Sequence, residues 1–381
     1  MKVTEPLGGS LWVRPGVPRP HNLRSTRPDW VGRATGGLPA SRLPATLANL
    51  FNLCGHAHGL CAGMAVDAAL GRDPTANTAA RAQLARQTLR EHLRRIGLDW
   101  PRQLAAAPVP DTLIDEAARV LAQCPVFASA PADAATWLEV HTLGMPPAAW
   151  LDAWEHDPQA WLTSWCQQTT GPLPDLMREC RAIASATLPT VAPLRVHADA
   201  EALRTWAALL SASGAAFARR PLWRNACAET GAWTRLNEAA PQRLNTPWLR
   251  LGARIAEVVR LALPAVPGSE PARGGPGWLG AGALALAPGE AIAWVEMARG
   301  LLIHHVQLDG RGDAARVAAC HVIAPTEWNF HPDGAVARAL ESLPVQPANE
   351  GRRRLGAVMA AYDPCVPYQQ DLSMPREAEH A

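Results

Sequence analysis

Across residues 79–96 the apolar positions Ala82, Ala85, Leu89, Leu93 and Ile96 recur at three- and four-residue steps, with Arg81, Arg90 and Arg94 off the stripe and Arg86 at its flank. That spacing predicts an amphipathic helix. Helical patterns continue over about 111–123, 146–167, 175–185 and 199–216, several of them parted by proline-rich joints. Over 54–70 small residues alternate with Met64, Val66 and Leu70 and only glycine interrupts, which predicts a closely packed helix. A stretch rich in glycine and proline, 264–289, reads as a long loop, and after it the period changes. Runs at 291–296, 301–308 and 315–323 are apolar and β-compatible, with a turn at Asp309-Gly310-Arg311-Gly312 between the last two. A final helix is expected over 332–343, ahead of an arginine-rich segment. The first fifty residues, rich in proline, glycine and arginine around short runs such as Leu11-Trp12-Val13, read as loops and brief strands. No repeat of solenoid period is present. The pattern predicts an α+β chain, mainly α, with a helical core and one small late β segment.

Composition narrows the class without naming it. The chain has 381 residues, 48% of them apolar, enough to bury a large core. A net charge of +2 gives no electrostatic case for nucleic acid or an anionic membrane. Lys2 is the single lysine, as codon bias in a GC-rich genome would produce, and clusters such as Arg94-Arg95 and Arg352-Arg353-Arg354 read as solvated faces. The opening Met1-Lys2-Val3-Thr4-Glu5-Pro6 lacks an export signal, and the most apolar stretch, 279–293, is broken by Gly280, Gly282, Pro288, Gly289 and Glu290. Eight cysteines in such a chain suggest a reducing compartment, so a soluble cytoplasmic protein is expected. The isolated Cys124, Cys166, Cys180, Cys227 and Cys320 read as buried core residues.

Chemistry gathers at the two ends. On a helix, Cys54, His58 and Cys61 stand at i, i+4 and i+7, one face that could offer two thiolates and an imidazole to a soft or borderline metal. The same spacing suits a small-residue packing helix, and it matches no zinc-ribbon pattern. At the other end, Asp363-Pro364-Cys365 presents a thiol on a stiffened turn, with Asp363 expected to accept from neighbouring amides.

Four segments, in order, resemble the large subunit of nickel–iron hydrogenases. That family carries Arg-x-Cys-Gly-x-Cys-x3-His near its N-terminus and Asp-Pro-Cys-x2-Cys-x2-His at its C-terminus. Here Cys54-Gly55 and Asp363-Pro364-Cys365 match the first halves, while Ala57, Cys61, Tyr368 and Asp371 replace the remaining ligand positions. Glu296-Met297-Ala298-Arg299-Gly300-Leu301-Leu302-Ile303-His304 resembles the family's Glu-Ala-Pro-Arg-Gly-x3-His, and Ala324-Pro325-Thr326-Glu327-Trp328-Asn329 resembles its Thr-Pro-Thr-x-Trp-Asn. Leu98-Asp99-Trp100 is a fainter match.

The resemblance implies a large-subunit-like fold over 1–381 as a single domain, its end motifs converging on one site. It also implies that both nickel–iron bridging thiols are lost, so nickel and hydrogen turnover are not expected. The iron-facing segment is kept: in the family its arginine and the Ser/Thr hydroxyl donate to iron-bound cyanides, and those positions are Arg299 and Thr326, beside Pro325. Asp371 replaces the histidine after which hydrogenase precursors are clipped, and the tail 372–381 shows no processing signal. Together these features are similar to the HupK/HoxV family of hydrogenase maturation proteins. A non-catalytic scaffold is the implied function. It would hold Fe(CN)2(CO) through Cys54 and Cys365, with Cys61 or His58 as further ligands, and serve the maturation proteins that make the iron unit and the large-subunit precursor that receives it. Two other readings remain: a divergent hydrogenase using Cys61 and Asp371, or a metal-free structural descendant.

Overall fold

The computed structural model describes residues 8–51, 53–128, 134–235, 238, 240–264, 274–343 and 348–371. The chain begins with β1 (Leu11–Val13) and β2 (Leu23–Ser25), then α1 (Trp30–Thr35) and α2 (Leu43–Leu50). The two helices correct the expectation of loops and brief strands alone; Pro44 in the first turn of α2 sits where its fixed φ suits a helix start. Next come α3 (Gly55–Ala69), α4 (Thr78–Arg94), α5 (Trp100–Leu104), α6 (Asp111–Ala122) and α7 (Ala134–Leu138). Of the stripe that predicted α4, Ala85, Leu89 and Leu93 lie on its buried face, which Leu84 and Thr88 complete, while Ala82 is exposed.

The helix expected over 146–167 divides into α8 (Pro147–His156) and α9 (Pro158–Gln168). Asp157 causes the break, since its carboxylate accepts from the amides of Gln159 and Ala160 and caps α9. After α10 (Pro172–Ala184) come β3 (Ala192–Pro193), α11 (Ala200–Arg219), β4 (Ala228–Glu229) and α12 (Pro247–Ala262). Helix α12 was not anticipated. Every residue from Pro247 to Leu261 is buried, so its charges lie inside rather than on a solvent face. Arg250 pairs with Glu229 at 2.8 Å, Arg254 with Asp363 at 2.6 Å and Glu257 with His92 at 2.6 Å.

Strands β5 (Ala281–Ala287), β6 (Glu290–Met297), β7 (Gly300–Asp309) and β8 (Arg316–Ile323) form an antiparallel meander in that order. β5 lies within the expected loop, and 265–273 of that stretch fall outside the described residues. The central strands β6 and β7 are covered on both faces, which explains their near-continuous apolar runs. Ala291, Ala293, Val295 and Leu302 join the large core, where α3 crosses β5, β6 and β7. Ile292, Leu301 and Ile303 face Leu203, Trp206 and Leu210 of α11. The chain ends with α13 (Pro325–Asn329), α14 (Ala335–Ser342), α15 (Ala348–Tyr362) and β9 (Tyr368–Gln370). The arginine-rich segment is thus helical, within α15.

β1 joins the two ends: it pairs antiparallel with β2 and parallel with β9, Leu11 opposite Tyr368. Cys124, Cys166, Cys180 and Cys320 are buried as expected, whereas Cys227 is half-buried with its sulfur 3.3 Å from His331 Nδ1. Among the described residues no helix is long and apolar enough to cross a membrane.

Candidate functional site

Cys54 immediately precedes α3, and the helix can start there because Gly55 follows it. A Cβ at Gly55 would stand 2.4 Å from the Ala48 carbonyl oxygen of α2. Cys365 follows α15 by a sharp exit in which Asp363 adopts φ +50°, the left-handed region that Asp tolerates better than most residues. The Asp363 carboxylate does not accept neighbouring amides as the sequence suggested. It is buried and accepts from Arg254 at 2.6 Å, with Arg95 Nε at 3.0 Å and Arg299 Nε at 3.6 Å. Burial opposes its charge, but Arg299, Arg254 and Arg95 outweigh it and hold its pKa well below the carboxylate range. Arg95 is therefore part of this clamp, not a solvated face. With β9 paired to β1 beyond it, Cys365 is fixed from both sides.

Arg299 occupies the two-residue turn between β6 and β7. Gly300 has φ +130°, and a Cβ there would meet Thr230 Oγ1 at 2.5 Å. The Thr230 hydroxyl accepts from the Leu301 amide at 2.9 Å, and Asn329 brackets the Thr230 backbone, accepting from its N–H at 2.9 Å and donating to its carbonyl at 2.7 Å. Thr230 thereby ties the Arg-Gly segment to the Trp-Asn segment. Arg299 is 2% exposed and pairs with Glu91; its Nε and Nη2 make no hydrogen bond among the described residues. Thr326, at the start of α13, donates its hydroxyl to Cys365 Sγ at 3.1 Å. Pro325 precedes it in the first turn.

A cavity of about 1520 Å³ is lined by Arg27, Cys54, His58, Arg299, Pro325, Thr326 and Cys365, and a second of about 960 Å³ by Glu91, Arg95, Arg299, Asp363, Cys365 and Tyr368. Arg299 and Cys365 line both, whereas Cys54 lines only the larger one. Burial pushes the Cys54 thiol up to about 12; Arg299 opposes this, while Glu91 and Cys365 add to it. Raised this far despite Arg299 and Arg27, the Cys54 thiol stays protonated at neutral pH unless a metal ion binds it.

The predicted ligand residues divide. Cys54 and Cys365 share the larger cavity. His58 also lines it, stacked on Phe51 at 3.8 Å with its Nδ1 3.1 Å from His304 Nε2 and its own Nε2 without a partner among the described residues. Cys61 is turned away, fully buried beneath the sheet beside the His304 backbone and Cys320. Its spacing from Cys54 misleads because Cys54 lies outside the helix, at φ −132°, so the pair does not share a helical face. Asp371 is held by Arg14 at 2.5 Å, beyond the end of β9. Among the described residues no group of three or more His, Cys, Asp or Glu is placed to hold a metal ion. The tail 372–381 lies outside the described residues.

Sequence reading missed Arg27, Glu91, Thr230, Arg254 and Glu327. Of these only Glu327 carried a local signal, three residues into a helix start, where its carboxylate accepts from the Ala324 amide at 3.1 Å.

No family model matches the chain. It is 45% identical over 368 residues to the hydrogenase expression/formation protein HoxV of Cupriavidus necator, covering 95% of each. It is 29% identical over 386 residues to the hydrogenase expression/formation protein HupK of Rhizobium leguminosarum bv. viciae, covering 94% of this chain and 93% of the relative. Among solved structures, a NiFeSe hydrogenase of Desulfovibrio vulgaris Hildenborough superposes with a TM-score of 0.55 at 14% identity, covering 92% of this chain and 93% of that one. An NAD+-reducing NiFe hydrogenase does so with a TM-score of 0.50 at 18% identity, covering 90% and 92%. The structural likeness carries the fold, that of the NiFe-hydrogenase large subunit, and the sequence likeness carries the family. The chain belongs to the HoxV/HupK family of hydrogenase expression/formation proteins.

Proposed function

We propose that this protein is a non-catalytic scaffold of hydrogenase maturation. It holds an Fe(CN)2(CO) unit between Cys54 and Cys365 and passes it to the large-subunit precursor of a NiFe hydrogenase. The observation that carries this reading is the convergence of one thiol from each end of the chain on a cavity that also contains the buried, incompletely bonded guanidinium of Arg299. Soft thiolates suit a low-spin ferrous ion. A dicyano iron held by two thiolates is anionic, and a fixed guanidinium is the group that neutralises and hydrogen-bonds it. Thr326, beside Cys365, supplies a hydroxyl donor on the same wall.

Two thiols are too few to retain a nickel–iron pair. Ala57 and Tyr368 stand where the enzymes carry bridging cysteines, and Cys61 and Asp371 are occupied elsewhere. The scarcity of ligands favours transfer, because the iron gains thiolates on reaching the precursor. His58 is the further donor that lines the same cavity. The maturation proteins that build the iron unit are the donors in this scheme.

Infrared spectroscopy of protein purified from cells containing the maturation machinery tests it. Wild type should show cyanide and carbonyl stretching bands, and Cys54→Ala and Cys365→Ala should lose them. A wild-type spectrum without such bands, indistinguishable from Cys54→Ala, would overturn the reading.

A further inference from the structure

Arg27 comes from the N-terminal segment, which none of the recognised motifs includes, yet the fold delivers it to the thiol pair. Its backbone is pinned. Gly9, at φ +74°, lies so close that a Cβ there would stand 2.6 Å from Arg27 Cα. Next to it, Thr26 donates its amide to the Ser10 carbonyl at 3.0 Å. β1 in turn pairs with β9, only a few residues beyond Cys365. The side chain is oriented as well: Nη1 is ion-paired with Glu327, whose other oxygen is fixed by the Ala324 amide, and Glu327 adjoins Thr326. Nε and Nη2 of Arg27 make no hydrogen bond among the described residues, and the side chain lines the larger cavity with Cys54, Arg299, Thr326 and Cys365.

Arg299 reaches the thiols from the β6–β7 turn and lines both cavities, whereas Arg27 lines only the larger one. The two guanidiniums therefore approach the same thiols from different elements. Burial disfavours the charge on Arg27, but thiolate at Cys365, the Glu327 carboxylate and, once a bound cation ionises it, Cys54 together more than compensate. A carboxylate partner alone would satisfy one edge of the fork, leaving the remaining donors for another anion.

We propose that Arg27 is a second cargo-binding guanidinium, which hydrogen-bonds one of the cyanide ligands while Arg299 takes the other. This rests on the iron-scaffold reading above. A ferrous dicyano unit on two thiolates is a dianion, and the unused donor edges of two guanidiniums, each with one edge already on a carboxylate, match its two cyanides. Arg27 thereby makes the site selective for a dicyano iron over one with fewer anionic ligands.

The test is the infrared spectrum and iron content of the full-length Arg27→Met variant, purified beside wild type with its folding checked by circular dichroism. A donor on a cyanide nitrogen stiffens the C–N bond, so its removal should move one cyanide band to lower wavenumber, or reduce bound iron severalfold. Arg27→Lys, which keeps charge but loses the fork, should fall between. If Arg27→Met does not accumulate as folded protein, Glu327→Gln reads the same contact. With the guanidinium charge no longer shared with a carboxylate, the same band should move to higher wavenumber. Wild-type bands that reappear unchanged, at full iron content, in the folded variant overturn the role of Arg27 and leave the scaffold reading intact. Absence of bands from wild type itself overturns both.

Discussion

Asp363→Asn removes one charge from the clamp behind Cys365 and little else. Asn tolerates the left-handed backbone at φ +50° as Asp does, so the substitution adds no backbone strain. Its amide also retains one acceptor oxygen. What it loses is the anion that three arginines share. Arg95 keeps Asp99 at 2.7 Å and Arg299 keeps Glu91, but Arg254 has no other carboxylate partner among the described residues. Arg254 is 1% exposed, so the variant leaves a buried cation uncompensated. Breaking a buried pair in this way costs about 3–5 kcal/mol. That is a large share of the roughly 5–15 kcal/mol by which a domain is stable. Urea unfolding followed by far-ultraviolet circular dichroism and tryptophan fluorescence measures it. The double variant Arg254→Met/Asp363→Asn should lose less than the sum of the two single changes, since it removes the stranded charge. A loss below about 1 kcal/mol for Asp363→Asn, or strict additivity in the double variant, would refute the clamp.

Two further outcomes follow from the geometry. Cys61→Ala should bind as much iron as wild type while losing about 1 kcal/mol of stability, because its thiol is packed beneath the sheet rather than in the cavity; iron loss equal to that of Cys54→Ala would contradict this. Stability should also fall as the medium is acidified below the ordinary histidine range. Burial holds His304 down at about 3, and His92 is lowered by burial, with Arg254 and Arg235 reinforcing this and Glu257 opposing it. A lowered folded-state pKa means that only the unfolded chain takes up the proton. The stability is therefore present above the unfolded value of about 6.5 and is lost as pH falls through it. From pH 7 to pH 5 a fully neutral buried histidine withdraws about 2 kcal/mol, measurable as a lower urea midpoint, and a flat profile would refute the buried neutral state.

The parts of the site legible in the sequence are those in which one residue type must occupy one backbone position. Cys54-Gly55 could be read because only glycine fits against α2, and Arg299-Gly300 because the turn packs on Thr230. Strands β6 and β7 were legible because both their faces are buried and their apolar runs are continuous, whereas the half-buried β5, rich in alanine, was read as loop. Helix α12 was hidden by the same physics that made it central. Burying Arg250, Arg254 and Glu257 erases the polar face by which a helix is recognised, and their partners, Glu229, Asp363 and His92, lie far away in sequence. Arg27 was hidden for a related reason, since its meaning comes from β1 pairing with β9, a contact between opposite ends of the chain. Cys61 shows the opposite case, in which the spacing grouped it with Cys54 but the fold packs it beneath the sheet. One non-helical residue at the start of α3 separates the thiol that faces the cavity from the thiol that faces the sheet. The cysteines thus located the site, but the charges around it became visible only once the chain was folded. The proposed binding of an anionic iron unit rests on those groups, the guanidiniums of Arg27 and Arg299 and the carboxylates of Glu327 and Glu91 that orient them, and not on the two thiols alone.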